Sequence, residues 1–417
     1  MRPLTESETR TVLNKIANYA GSSLKDLFAP LDKSAKPDHH VLRLSRSRVY
    51  YVRLSLANLA TSVVREKLLS CGTCLAMKLA ETHSLELPAS ADMHVHLRQG
   101  DMLNLPNLQP PITSVAQALE YRDRLRAVEP NVRYLMSLFL HPSVTPQVIV
   151  EAAAAGIAGV KMYPQGVTTN SDSGVVSVDD YAAVFAEMER QDLVLNIHGE
   201  IATEPVDGLS LEVAFLPVLH RLHKDYPRLR IVLEHCSTAE AVDAVRACGP
   251  SVAGTITAHH LYLTGDMSQS DPLCFCKPIP KKPTDRDALI RAVCSGDAKF
   301  FFGSDSAPHP LASKTGSQTV PAGVFTQPFA TQLVLLALEE AIERGVVAED
   351  DVSQYRLESF LSRSGRRFYK LPDDAGGARI LLERRDEKIP PYVASADDGL
   401  RVGLSKAGSA VYGLRWL

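Results

Sequence analysis

Strand-like apolar runs alternate with amphipathic helical stretches from about residue 90 onward, and this alternation most constrains the fold. Seven runs are predicted as strands: Ala91–His96, Tyr134–Leu140, Ile157–Tyr163, Leu193–His198, Arg230–His235, Val252–His259 and Lys299–Gly303. Five stretches between them are predicted as helices: Val115–Val128, Pro146–Ala155, Val178–Arg190, Leu211–Tyr226 and Thr238–Cys248. Strands alternating with helices are typical of a parallel sheet that helices cover or close.

Side chains of the types that bind metals lie at the ends of five of these strands. They are His94 with His96, Lys161, His198, His235 and Asp305. Residues i and i+2 of a strand share a face, so the first two imidazoles point together. A (β/α)8 barrel keeps its active site at the carboxyl ends of its strands. We therefore predict a TIM barrel with a metal centre. A doubly wound open sheet is the alternative, but it would carry a glycine-rich turn after its first strand, and none is present.

Lys161 is the unusual member of this set, because a lysine that ends an apolar strand is costly to bury. Burial favours the neutral amine, which can add CO2 and form a carbamate. Such a carbamate would supply an anionic bridge between two metal ions. The alternatives are an ion-pair role for Lys161 and interior roles for the histidines. His259 and His260 are competing ligands, which we predict to be wall residues.

The spacing of the first two ligand segments is too short for a complete barrel. A βα unit takes about 31 residues, yet only 67 residues separate His94 from Lys161, where three successive βα units are expected. We predict that helix 1 and strand 2 of the barrel are missing. Beyond Gly303 we predict helices near Ala330–Arg344 and Val352–Tyr369, then a tail of short β segments over Ile380–Leu417.

Residues 1–76 are predicted to form a separate small α/β domain, and residues 77–417 the barrel and its tail. The first segment carries 12 Lys and Arg against 6 Asp and Glu, whereas the remainder has a net charge of −9. A basic module of this kind suggests contact with RNA. The sequence has neither an apolar run of 18 residues nor a signal-like start, and its seven cysteines lack regular spacing. We expect no membrane association and a cytoplasmic location, or a nuclear or nucleolar one if the basic module is functional.

Seven motifs carry a resemblance to a known family. They are Asp92-Met-His-Val-His-Leu-Arg98, Pro106-Asn-Leu-Gln-Pro-Pro-Ile-Thr113, Gly159-Val-Lys-Met-Tyr-Pro-Gln-Gly-Val-Thr-Thr-Asn170, Leu195-Asn-Ile-His-Gly-Glu200, Leu233-Glu-His-Cys236, Thr257-Ala-His-His-Leu261 and Phe301-Phe-Gly-Ser-Asp-Ser-Ala-Pro-His309. Their order resembles the amidohydrolase superfamily, and within it the homodimeric dihydroorotases of fungi and many bacteria. The likeness implies reversible closure of N-carbamoyl-L-aspartate to (S)-dihydroorotate and water, a step of pyrimidine (UMP) biosynthesis.

The resemblance also implies roles for individual residues. His94, His96 and Asp305 would bind one zinc ion, His198 and His235 a second, and carboxylated Lys161 (N6-carboxylysine) would bridge them, with Asp305 also shuttling the catalytic proton. The substrate would be held by Arg98, Asn107, Thr168, Thr169, Lys277, His309 and Ala322, with Thr168 and Thr169 on a mobile loop. The protein would be a homodimer with two zinc ions per chain.

A second resemblance covers only the start of the chain. Met1-Arg-Pro-Leu-Thr-Glu-Ser-Glu-Thr9, Ala17-Asn-Tyr-Ala-Gly21, Arg48-Val-Tyr-Tyr-Val52 and Ser70-Cys-Gly-Thr-Cys74 resemble the N-terminal domain of a eukaryotic 60S ribosome-biogenesis factor. In that family an RNA-binding PUA domain follows, and here it is absent. This predicts a fusion at residues 75–77.

Two other functions remain open from the sequence. One is a dihydropyrimidinase-like amidase, which Arg98 and His309 disfavour because its substrates need no carboxylate pocket. The other is an impaired fusion product that acts as an adaptor for RNA or the pre-ribosome, and the missing barrel segment supports it.

Overall fold

The computed structural model describes the backbone of residues 28–29, 39–45 and 48–53, and residues 77–97, 108, 110–168, 171–205, 208–316, 318–372, 377–395 and 399–417. The chain divides into two compact units, Met1–Cys74 and Leu75–Leu417. In the first unit, strands β1 (Phe28–Ala29), β2 (His39–Ser45) and β3 (Arg48–Arg53) pair antiparallel in that order. The alternating runs Val41–Leu44 and Arg48–Arg53, which the sequence predicts as strands, lie within β2 and β3. The helices predicted over Thr5–Gly21 and Leu54–Leu69, and Cys71 and Cys74, lie outside the described residues.

Six parallel strands form the central sheet of the second unit. They are β5 (Ser137–Phe139), β6 (Gly159–Met162), β7 (Val194–His198), β8 (Arg230–Glu234), β9 (Val252–Ile256) and β10 (Phe300–Phe302), paired in chain order. Residues of β6, β7 and β9 are buried throughout. Parallel strands covered on both faces are continuously apolar, which is why the sequence runs predicted them well.

Helices alternate with these strands as the sequence predicts. They are α1 (Val115–Val128), α2 (Pro146–Ala154), α3 (Ala182–Gln191), α4 (Leu211–Asp225), α5 (Ala239–Ala247), α6 (Gly265–Ser270), α7 (Pro283–Cys294), α8 (Leu311–Gly316), α9 (Ala330–Glu343), α10 (Gln354–Glu358) and α11 (Ser364–Phe368). Side chains of Ser114, Thr145, Ser210 and Thr238 accept backbone N–H bonds at the starts of α1, α2, α4 and α5. These caps explain the sharp starts.

The segment around Val95 stands beside β10 in place of a longer first strand. Val95 bridges Ser306 in parallel, and the amide of Asp305 donates to the carbonyl of His94 at 2.7 Å. Between residues 97 and 110 the structure describes only Leu108. At the far edge of the sheet the carbonyl of Ile112 accepts a bond from the amide of Phe139 at 2.7 Å. The predicted absence of helix 1 and strand 2 therefore falls on residues outside the described ones.

The predicted strand Ala91–His96 is reduced to a single bridge at Val95, and two further predicted elements also differ from the structure. The predicted helix Val352–Tyr369 is divided into α10, a π-helical turn at Ser359–Arg363 and α11. The predicted strand Val252–His259 ends at Ile256, because the hydroxyl of Thr257 accepts the amide of His260 at 3.0 Å and turns the chain into the 3-10 turn His259–Leu261. Such side chain–backbone bonds compete with a sheet ladder.

The tail forms β structure as predicted, but it pairs with a segment far away in sequence. Strand β11 (Arg379–Lys388) lies between β4 (Ser84–Pro88) and β14 (Ala410–Trp416), all antiparallel, and β12 (Tyr392–Ala394) pairs with β13 (Arg401–Gly403). Among the described residues, no helix has the length and apolarity needed to cross a bilayer.

Candidate metal centre and substrate pocket

His94, His96 and Asp305 come together where the first strand segment meets the end of β10. Nε2 of His96 donates to Oδ1 of Asp305 at 3.0 Å, and Nε2 of His94 lies 3.4 Å from the same oxygen. Potential ligand atoms of the three residues all lie within 4.8 Å of one another. Asp305 has a φ of 47°, a left-handed conformation that aspartate tolerates better than most residues. The three side chains are therefore arranged to hold one cation.

Lys161, His198 and His235 lie beside this group, at the ends of β6, β7 and β8. The His235 ring centroid is 4.7 Å from that of His198 and 5.2 Å from that of His94, so the two groups adjoin. Nζ of Lys161 lies 4.9 Å from the centroid of the Tyr163 ring. Nε2 of His198 donates to Glu200 at 3.0 Å, which leaves Nδ1 of that ring as a lone-pair donor.

Two buried atoms of this second group have no hydrogen-bond partner. They are Nζ of Lys161 and Nδ1 of His235, on side chains that are 9% and 2% exposed. Nearly all buried polar atoms in native proteins are bonded to protein, water or an ion. The two orphaned atoms, with the imidazole and carboxylate chemistry around them, fit a cation centre.

The electrostatics hold these groups in the protonation states that metal binding requires. Burial lowers the pKa of His198 and lowers that of His235 well below its ordinary value, so both rings are neutral. Burial opposes ionisation of Asp305, but the hydrogen bond from His96 and the neighbouring imidazoles hold its pKa well below the usual range. Burial lowers the pKa of Lys161 to about 8. Neutral imidazole and ionised carboxylate are the ligand forms.

Glu234 is a residue of this site that the sequence analysis missed. It is 1% exposed, and its Oε2 lies 2.8 Å from Nδ1 of His94 and accepts the Thr255 hydroxyl at 2.6 Å. Its Oε1 accepts the side-chain amide of Asn196 at 2.6 Å. A carboxylate inside a buried strand is costly unless it is bonded, so its place in the apolar run before His235 was a usable signal.

A pocket opens over the two groups and contains several predicted substrate residues. Its lining comprises His96, Tyr163, Thr168, His198, His235, Cys276, Lys277, Asp305, Ala307, Ala322 and Gly323. Thr168, Lys277 and Ala322 are therefore beside the candidate ligands. Nε2 of His309 donates to the carbonyl of Ala322 at 2.9 Å. Arg98, Asn107 and Thr169 lie outside the described residues.

His259 and His260 are not part of the His94 group. Their ligand atoms lie instead within 4.8 Å of one another and of Cys276, in a separate buried group. Both are predicted to be wall residues, and neither is among the residues that line the pocket. Cys276 was not singled out from the sequence.

Comparisons with known proteins identify both parts of the chain. Residues 1–78 match the family of NIP7/UPF0113 pre-PUA domains. The probable dihydroorotase of Schizosaccharomyces pombe is 47% identical over 330 residues, covering 75% of this chain and 94% of that protein. The dihydroorotase of Saccharomyces cerevisiae is 38% identical over 370 residues, covering 80% and 98%.

Solved structures of the same family are also similar to this chain. The crystal structure of S. cerevisiae dihydroorotase in complex with 5-fluoroorotic acid has a TM-score of 0.72 at 36% identity, covering 80% of this chain and 99% of that one. An L-hydantoinase (dihydropyrimidinase) from Arthrobacter aurescens has a TM-score of 0.64 at 16% identity, which shows the shared fold alone.

The alignments also bear on chain length. The S. pombe alignment runs over 330 residues but takes up only 75% of the 417-residue chain, so that relative has positions with no counterpart here. This agrees in direction with the predicted missing barrel segment without locating it. The second unit has the TIM-barrel fold of the amidohydrolases, and the chain belongs to the dihydroorotase family of metal-dependent cyclic amidohydrolases.

Proposed function

We propose that the chain catalyses reversible cyclisation of N-carbamoyl-L-aspartate to (S)-dihydroorotate and water at a centre of two zinc ions, in de novo pyrimidine biosynthesis. The observation that carries this is the meeting of four imidazoles, one carboxylate and one buried amine at adjoining strand ends below a pocket. His94, His96 and Asp305 would hold one cation, His198 and His235 the other, and Lys161 would serve both.

Carboxylation of Lys161 is part of this proposal. The neutral amine adds to CO2, a C–N bond forms, and one proton leaves, so that the product is an anionic carbamate. Burial supports this step in two ways: it holds the pKa of the amine to about 8 and leaves Nζ without a hydrogen-bond partner. The anion would then offset the charge of the cations beside it.

Bound cations of this type polarise a carbonyl and lower the pKa of water. The residues of the chain would do the rest. In ring closure the ureido nitrogen of the substrate bonds to the carbon of its side-chain carboxyl group. Asp305, ionised in its bonded setting, would take the proton from that nitrogen and return it to the departing oxygen. A second proton from solvent completes the water, because the side-chain carboxylate of the substrate is ionised at neutral pH.

Substrate orientation would come from residues other than the metal ligands. We propose that Arg98, Asn107 and His309 bind the free carboxylate, since a guanidinium suits a planar anion. Backbone groups of Lys277 and Ala322 would contact the ring, and Thr168 and Thr169 would close over it. The lining of the pocket by Thr168, Lys277 and Ala322 supports this orientation.

Metal removal tests the proposal. The purified full chain is stripped with a chelator, then titrated with zinc while ring opening of dihydroorotate and closure of carbamoyl-aspartate are followed. Turnover should be absent in the stripped protein and return with about two equivalents per chain. Turnover that survives stripping would contradict the metal centre. A preference for dihydropyrimidines that lack the carboxylate would favour a dihydropyrimidinase, and no turnover with zinc bound would favour the impaired protein.

A second candidate function belongs to the N-terminal unit, and the pre-PUA match over residues 1–78 favours it. We propose that this unit contacts RNA or pre-ribosomal particles through its basic residues, with the protein cytoplasmic or partly nucleolar and its catalytic unit homodimeric. Binding to ribosomal RNA by the full chain, compared with a chain that begins at Met77, tests this. Binding that is equal in both, or insensitive to salt, would contradict it.

A further inference from the structure

A second cluster of ligand-type side chains lies beside the pocket, apart from the proposed catalytic centre. His259 and His260 come from the turn after β9, and Cys276 follows on the next segment. All three are buried, at 0%, 2% and 1% exposure. Two imidazoles and a thiol in one buried group match the soft donor sets that zinc and related ions select.

His259 provides the independent sign that something binds here. Both of its ring nitrogens are buried and neither has a hydrogen-bond partner. A neutral imidazole carries one donor and one acceptor, so this ring leaves both unsatisfied at full burial. A buried imidazole with neither nitrogen bonded calls for an explanation, and an ion or an ordered water at this position would supply one.

Cys276 and His260 already share one acceptor. The Cys276 thiol and Nε2 of His260 both donate to the carbonyl of Pro278, at 3.4 Å and 3.0 Å. Their protons therefore point at one small region. The other ring nitrogen of His260, Nδ1, accepts the Thr257 hydroxyl at 2.9 Å. His260 is thus the Nε2–H tautomer in the structure.

We propose that His259, His260 and Cys276 form a third cation site that takes a thiophilic divalent ion such as zinc or cadmium. Binding forms a sulfur–metal bond and releases the thiol proton to solvent. His260 shifts its proton from Nε2 to Nδ1, where the oxygen of Thr257 accepts it, and so stays neutral. No oxidation or reduction occurs. The ligand atoms start within 4.8 Å of one another and need only a modest contraction to reach tetrahedral spacing.

The site adjoins the pocket through Cys276. This residue lines the pocket together with Lys277, whose ammonium donates to the carbonyl of Val167 at 2.8 Å. The cation would enter from the pocket beside Cys276, and once bound it would fix the wall segment that follows this residue. The site is distinct from the His94 group, because it shares no ligand with it.

Cadmium binding to the zinc-loaded full chain tests the proposal. Metal content after dialysis and the ultraviolet charge-transfer band of a cadmium–thiolate bond are measured for wild type, Cys276→Ser, His259→Asn and Cys274→Ser. Cys274 is the matched control, since its thiol donates to Asp271 and lies outside the cluster. Wild type and Cys274→Ser should each bind one equivalent of metal more than Cys276→Ser or His259→Asn. The cadmium–thiolate band should disappear or shift only in Cys276→Ser and His259→Asn.

The difference of one metal equivalent between variants does not depend on how many ions the catalytic centre holds. The experiment therefore tests the third site independently of the proposed reaction. Equal metal content and an identical band in wild type and Cys276→Ser would overturn the third site. Loss of the extra equivalent in Cys274→Ser alone would overturn the assignment of its ligands. If Cys276→Ser folds poorly, the His259→Asn comparison decides.

Discussion

The buried carboxylate of Glu234 holds two proposed metal ligands, His94 and His235, in position. Its Oε2 touches Nδ1 of His94 and accepts the Thr255 hydroxyl, whose oxygen accepts the backbone amide of His235 at 2.7 Å. The left-handed conformation of His235, with a φ of 41°, therefore has a specific support. Glu234 thus orients two of the proposed ligands without being one.

Replacement of this carboxylate should weaken metal binding more than it harms folding. Glu234→Gln keeps the volume and removes the charge that faces His94, so zinc affinity should fall by roughly 10–100-fold. Competition with a chromogenic chelator measures the affinity, and circular dichroism checks the fold. Glu358→Gln is the control, because Glu358 is buried but pairs with Gln354 and Arg363 instead of a histidine. Equal zinc affinity in the Glu234 variant and wild type would rule out the positioning role.

Lys161 allows a rescue experiment at the same scale. Lys161→Ala should remove turnover and lower zinc content, because the proposed bridge is lost. A short-chain carboxylic acid should restore part of the activity, since the truncated side chain leaves room for an oxygen anion. Acid-dependent recovery of turnover in this variant, but not in Asp305→Ala, is the expected pattern. Full activity of Lys161→Ala without added acid would refute the bridge.

At the scale of elements, Lys314 connects two loops of the pocket through hydrogen bonds. Nζ of Lys314, on α8, donates to the carbonyls of Phe275, Pro321 and Gly323 at 3.0, 3.0 and 2.9 Å. The first carbonyl directly precedes Cys276, and the other two flank Ala322. The charged amine therefore sets the distance between two walls that would contact the substrate.

Loss of this contact should appear in substrate binding. A hydrogen bond to a charged group is worth about 1.5–3 kcal/mol, so Lys314→Met should raise KM by roughly 10–100-fold and change kcat less. Lys299→Met is a matched control, because Nζ of Lys299 donates to four carbonyls near the end of α5 and its residue does not line the pocket. It should lower Tm with little effect on KM. A KM unchanged in Lys314→Met would contradict the role.

The helices and strands also show which features can be predicted from the sequence and which cannot. The predicted bounds of α1 match the structure, and the predicted strands end near His198 and Lys161 as the structure has them, because such features depend on local pattern. The pairing of β4 with β11 joins residues nearly 300 positions apart, which no local pattern encodes. The contacts of Glu234 and Lys314 were out of reach for the same reason, since Glu234 bonds residues of two neighbouring strands and Lys314 bonds carbonyls of two separate loops.

At the scale of the whole molecule, the catalytic unit should function without the N-terminal one. The second unit begins at Leu75, and its early strand β4 is held by β11 through five paired residues. A chain that begins at Met77 should therefore keep its zinc content, kcat and KM within about twofold of the full chain, because the described ligand and pocket residues all belong to the second unit. Size-exclusion chromatography and steady-state kinetics make the comparison. A large loss of turnover would show that residues 1–76 contribute to the active protein.

Acid sensitivity is the second property of the whole molecule, because several histidines are buried in neutral form. Burial lowers the pKa of His260 to about 4 and also lowers the pKa values of His198, His235 and His259. Below pH 6.5 the histidines of the unfolded chain bind protons, whereas the buried histidines of the folded chain stay neutral. The free energy of unfolding is therefore unaffected by these groups above pH 6.5. It decreases as the pH falls from 6.5 towards 4.

Urea denaturation of the chelator-treated protein at a series of pH values measures this loss. Each group contributes at most about 1.4 kcal/mol per pH unit, so His260 alone accounts for about 3 kcal/mol between pH 6.5 and 4. His260→Asn should show a shallower fall over that window, because its side chain does not titrate, although its stability at pH 7.5 is lower. An unfolding free energy of wild type that stays constant between pH 6.5 and 4.5 would mean that these rings are not held neutral, and the ligand-ready state of the site would then need another explanation.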